Sequence, residues 1–303
     1  MPHPAVRDWK SGASCGELQR LVSGRTVGLL PLRDISKLAR LWPVGYNPAM
    51  GMPKISGAED QMLKGLIGQP VTFAIGELVK LLPEVSKITF AAYKPAPGLD
   101  ARLARSADPT SEVRELAERL RQEYGIPFWD AILAISMRRG ELPDRYVDLA
   151  ILHDKSPDEY PIELPYSEVT SQRIETLLGQ LREGFVLALS SRVQLESGGF
   201  AHIPMLDFRC TPSLQNRAIV KRALRAMGEA AGLLVESGRS YHFYGVRLLS
   251  QEAWIQFLAM GILFTPIVDA RYIAHRLADG ACRLRIGTGP EKPSTPNVVE
   301  VFG

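Results

Sequence analysis

The chain has 303 residues, 46% of them hydrophobic and 23% charged, with a formal net charge of +3. That is enough for one large domain or two ordinary ones around a substantial core, and so small a net charge points to no particular class of partner. Cys15, Cys210 and Cys282 are too scattered for a disulfide framework, and none stands with another Cys or His at zinc-ligand spacing, so no structural zinc and a reducing, cytoplasmic setting are expected. The opening residues carry charges where a secretory segment would be apolar. The longest apolar run, 253–268, is broken by Gln256 and Pro266, so no membrane association is expected.

Residues 1–145 read as mostly helical, with apolar spacings of three and four in segments 17–22, 34–41, 59–67 and 77–82. KITFAAY, 87–93, has strand character. Asp108-Pro109 is a helix start whose buried stripe would be Val113, Leu116, Ala117 and Leu120, and a second helix is expected over 129–138. The pattern changes after Pro143: VDLAIL, 147–152, reads as a strand and 157–165 as an acidic, proline-punctuated loop. A domain boundary is placed here, giving a mostly helical region 1–145 and a second domain 146–303.

In the second domain, Ile174, Leu177, Leu178 and Leu181 predict an amphipathic helix stopping at Gly184. Strands are then expected over 185–195 and 200–209, joined by Ser197-Gly198-Gly199, so that the neighbour of Asp207 across this hairpin would be near Leu189 or Ser190. Thr211-Pro212 opens a helix to about Ala230, on which Arg217, Lys221 and Arg225 share one face, either as a basic binding surface or as a solvated face offsetting the acidic stretch before it. Strands 233–236 and 241–246, a helix 251–260 and a strand 262–268 follow. Hairpins alternating with helices predict an α+β fold with an antiparallel or mixed sheet and helices on one face.

Three segments gather polar groups at element ends: HIPMLDFRC (202–210), SGRSYHFYG (237–245) and IVDARYIAHRL (267–277). Their order resembles the archaeo-eukaryotic primase superfamily, in which a carboxylate motif, a Ser-x-His motif and a hydrophobic-Asp motif precede a basic tail. The matching residues are Asp207, Ser240 with His242, and Asp269, followed by LRIGTGPEK (284–292). The likeness is to the divergent bacterial primase 1D-like group and runs from about 185 to 292. It implies an RRM-like sheet and a nucleotide or nucleic-acid ligand: a nucleoside triphosphate, or single-stranded or primed nucleic acid.

In an active member, carboxylates hold divalent ions that activate a hydroxyl and stabilise the leaving pyrophosphate. The resemblance therefore implies Asp207 and Asp269 as ligands of Mg or Mn, with Asp207, His242 and Asp269 as the catalytic set. Ser240 and His242 would hydrogen-bond the triphosphate, while Arg239, Arg283, Arg285 and Lys292 would neutralise phosphates. Each also has a structural alternative: His242 as a core histidine, Asp269 as a helix cap, Arg283 and Arg285 as strand residues.

One departure matters. Active primase-polymerases place two carboxylates two residues apart in the first motif, and here the second position is Arg209. A cation fixed about 5 Å from two divalent ions would be repelled by roughly 13 kcal/mol at an effective dielectric of ~20. Glu196 lies at the hairpin turn, so a replacement carboxylate would come from elsewhere, such as Asp148, Glu163 or Glu168. Three functions follow: a metal-dependent nucleotidyltransferase of primase-polymerase type; a primase-like module that binds nucleotide or a nucleic-acid end, with Arg209 replacing metal as the neutralising charge, within a larger nucleic-acid-processing or defence complex; and a protein whose residues 1–145 bind a protein partner or guide nucleic acid while the rest is scaffold.

Overall fold

The computed structural model describes residues 55–95, 111–151, 158–290 and 292–302. The helical segments expected at 17–22 and 34–41, and the helix start at Asp108-Pro109, lie outside them. Two helices come first, α1 (Gly57–Lys64) and α2 (Val71–Val79), and then strand β1 (Val85–Tyr93). Ser56 and Glu59 open α1 with a reciprocal capping box, the Ser56 hydroxyl accepting from the Glu59 amide and the Glu59 carboxylate from that of Ser56.

Three helices follow, α3 (Ser111–Tyr124), α4 (Phe128–Arg139) and α5 (Asp144–Ile151). They share a small core in which the expected stripe of α3, Val113 and Ala117, packs with Phe128, Ile132 and Tyr146. Tyr146 explains why 147–152 is not the strand its composition predicts. A short apolar run fits either period, and the burial of Tyr146 against α3 and α4 decides for helix. The expected loop 157–165 is likewise corrected, because Tyr160–Pro165 forms strand β2. Pro161 and Pro165 are tolerated since β2 is an edge strand, paired on one side only.

The remaining elements are α6 (Ser171–Gly179), β3 (Val186–Leu195), β4 (Phe200–His202), β5 (Met205–Asp207), α7 (Leu214–Ala226), β6 (Gly232–Glu236), β7 (Tyr241–Gly245), α8 (Gln251–Ile262), α9 (Ala270–Asp279), β8 (Arg283–Arg285) and β9 (Asn297–Phe302). Helix α6 ends at Gly179, earlier than the expected Gly184, and α7 is capped by Ser213 rather than opened by Thr211-Pro212. Residues 263–267 turn rather than form a strand, and only Val268 bridges, to Phe208. On α7, Arg217 and Lys221 are both within ion-pair distance of Glu300 on β9, so part of the basic face is spent internally.

All the strand pairings are antiparallel, and they form two sheets instead of one. The first has the order β2-β1-β3-β4, with β8 also on β3; the second is β5-β7-β6-β9. The strand expected over 200–209 is therefore divided between them. After His202 the chain passes Pro204, which has no amide to give a ladder, and enters the second sheet as β5. The central strand β1 comes from the region before residue 145, so the first sheet draws on both sides of the expected boundary. The core of the sheets is continuous and distinct from that of α3–α5.

Arg285 ties the two sheets together. It sits on β8 opposite Ala188 of the first sheet, and its guanidinium donates to the Ser237 carbonyl at the end of β6 (3.0 Å), to the Ser294 carbonyl (3.1 Å) and to that of Gly287. Replacing it with Met keeps the bulk and leaves buried carbonyls without a donor. Arg285→Met is expected to lower unfolding stability by about 3 kcal/mol, measured by urea denaturation.

Candidate functional site

Backbone hydrogen bonds assemble the three motifs. Strand β5 pairs with β7 so that Asp207 lies opposite His242, correcting the expectation that Leu189 or Ser190 would face it. Beyond β5, the Phe208 amide donates to the Tyr241 carbonyl (2.9 Å), and the Arg209 amide to the Ile267 carbonyl (2.8 Å). The Asp269 amide in turn donates to the Asp207 carbonyl (3.1 Å). Residues 207–209 are thus held between β7 on one side and 267–269 on the other.

The side chains of Asp207, Arg209 and Asp269 are 27%, 28% and 26% exposed, on the rim of the buried sheet. Oδ1 of Asp207 lies 3.8 Å from Nε2 of His242. Nε of Arg209 is 3.7 Å from Oδ2 of Asp269, and its Nη1 is 3.8 Å from Oδ2 of Asp130, in the first turn of α4. These two contacts attract by charge but are too long for hydrogen bonds. Beside them the Arg271 guanidinium lies over the Trp129 ring, 5.2 Å from its centroid.

Asp269 is also the N-cap of α9, its Oδ1 accepting from the amides of Arg271 (3.0 Å) and Tyr272 (3.2 Å). The cap role open in the sequence is therefore real, and it leaves only Oδ2 facing Arg209. His242 is buried, and its Nδ1 has no hydrogen-bond partner among the described residues. Burial, reinforced by the charges of Lys292 and Arg285, holds its pKa well below the ordinary histidine value, so the ring is neutral near pH 7. Neighbouring Tyr244 also has a buried hydroxyl without a partner, and burial raises its pKa.

The other candidates separate into two groups. Ser240 and Arg239 sit in the turn between β6 and β7, where Arg239 is exposed and the Ser240 hydroxyl lies 3.2 Å from that of Ser237. The charge of Lys292 reaches His242. Arg283, by contrast, is paired with Glu159 at 2.7 Å, and the head of Arg285 is committed to main-chain carbonyls. Among the acids considered as replacements, Glu163 pairs with Lys87 at 2.8 Å. The carboxylate that reaches Arg209 is Asp130, which no local motif marks because its partner is 79 positions away in the sequence.

These residues do not fit a two-ion site. The Asp269 carboxylate is divided between a helix cap and Arg209, a guanidinium occupies the second first-motif position, and no three His, Cys, Asp or Glu side chains converge at metal-holding distances among the described residues. The arrangement instead offers a guanidinium with unspent donors, and the β5–β7 register leads from it to the turn that carries Ser237, Arg239 and Ser240.

The family model described as archaeo-eukaryotic primase 1D-like matches residues 165–297. Over those residues the chain is similar to the primase-like group of the archaeo-eukaryotic superfamily. No curated protein and no solved structure matches. No helix of the described residues is long and apolar enough to cross a membrane.

The buried imidazole sets a pH dependence. Unfolded, His242 binds a proton below about pH 6.5; folded, it does so only at lower pH, so its contribution to stability is complete above that value and is lost as pH falls. His202, lowered chiefly by burial, acts in the same direction. Between roughly pH 7.5 and 5.5 wild type is expected to lose about 1 kcal/mol more stability than His242→Gln, measured by denaturant titration at each pH.

Proposed function

We propose that this protein is a primase-like module that holds the phosphates of a nucleotide or of a nucleic-acid end through arginine, without two-metal chain extension. Arg209 is the observation that carries this reading. It stands where a second carboxylate would be required, it is partly exposed, and neither of its ionic contacts consumes a hydrogen-bond donor. Such a guanidinium can grip two phosphate oxygens at once and needs no carboxylate cage.

Ser240, Arg239 and Lys292 supply the remaining polar and cationic groups. Neutral His242 would offer hydrogen bonds but not a full charge. Asp207 and Asp269 oppose any anion, so phosphate binding depends on Arg209 exchanging carboxylate neighbours for phosphate oxygens. The competing reading, a primase-polymerase with Mg or Mn on Asp207 and Asp269, draws on the register of Asp207 against His242 and requires Arg209 to leave.

Titration with fluorescent nucleoside triphosphate and with primed and single-stranded oligonucleotides separates the two. Binding is expected to persist in excess chelator, to weaken as salt rises from roughly 50 to 200 mM, and to fall about tenfold in Arg209→Gln. Asp207→Asn should bind at least as well as wild type. A labelled extension product that needs Mg or Mn and disappears in Asp207→Asn and Asp269→Asn would falsify the binding-module reading.

A further inference from the structure

Helices α3, α4 and α5 have their own buried core, yet the first turn of α4 meets the site. The meeting is made through cations: Asp130 faces Arg209, and Trp129 lies against Arg271 in the first turn of α9. Asp130 and Asp269 thus share one guanidinium, but they are held very differently. Asp269 is fixed by two α9 amides and by its own amide on the Asp207 carbonyl. The Asp130 side chain is 46% exposed and makes no hydrogen bond among the described residues.

We propose that Asp130 is a built-in competitor for the anion site: its carboxylate stays beside Arg209 until a ligand phosphate displaces it, so that α4 restrains Arg209 through this contact. The inference rests on the reading of Arg209 as a phosphate-binding group. An incoming phosphate must displace one of the two carboxylates from beside the guanidinium, and Asp130 is the one that can move without uncapping a helix or parting the motif backbones. Asp130 also carries no metal-binding duty, since Arg209 stands between it and Asp269. The pair is charge-assisted, long and partly solvated, which makes it weak enough for a multiply charged phosphate to replace.

The test uses the full chain in excess chelator, with ATP and inorganic tripolyphosphate as probes. Asp130→Asn is expected to bind both about fivefold more tightly than wild type, the upper range for an exposed ion pair. The gain should vanish in the Arg209→Gln background, because the two residues act on one contact. Hydrogen exchange over residues 128–139, measured without ligand, should speed up in Asp130→Asn, and tripolyphosphate should produce the same rise in wild type.

Equal or weaker binding by Asp130→Asn overturns the proposal while leaving the phosphate reading in place. So does unchanged exchange over 128–139. Failure of every variant to bind either probe overturns both.

Discussion

Strand β5 is only three residues long, and the site depends on how its end is held. The carbonyls and amides of 207–209 bond to β7 on one side and to 267–269 on the other, so segments 33 to 62 positions apart are fixed by main-chain bonds. Those bonds do not depend on the identity of the side chains they bring together. A lineage could therefore change the chemistry at 209 without disturbing the frame, and an arginine in a carboxylate position is compatible with an intact fold.

An arginine at 209 changes the electrostatics around Asp269. With a second carboxylate, two like charges would face each other; with Arg209, Asp269 has a counter-charge beside it. His242 follows the same logic. Burial and the nearby charges of Lys292 and Arg285 keep it uncharged, so it places a polar group opposite Asp207 without adding a positive charge. Arg209 is partly exposed and Arg239 exposed, while Arg285 serves the frame.

The position of α4 adds a long-range element to this local balance. A helix whose apolar residues pack against α3 and α5 presents a carboxylate and an indole to Arg209 and Arg271. Because the apolar cores are separate, the energy of that contact resides mainly in charge and cation–π interaction, which respond to ligands and salt far more than buried packing does. The region before residue 145 is thus joined to the motifs chemically, as well as through the β1 pairing in the first sheet.

Much of this was legible in the amino-acid order. The antiparallel α+β class, the strand at 87–93, the turn glycines at 198 and 199, and the three motif segments can be read from period and turn chemistry, which act over a few residues. The helix at 144–151 and the edge strand at 160–165 were misread because tertiary neighbours, Tyr146's core and β1, override short ambiguous patterns. The division of 200–209 between two sheets, and with it the pairing of Asp207 with His242, depends on which distant strand each short segment meets. The sequence by itself determined that carboxylate, imidazole and arginine would stand at element ends; only the tertiary structure decided that Asp269 caps a helix, that Arg285 is a staple and that Asp130 reaches Arg209, since those roles are set by distances between residues that local order leaves unconnected.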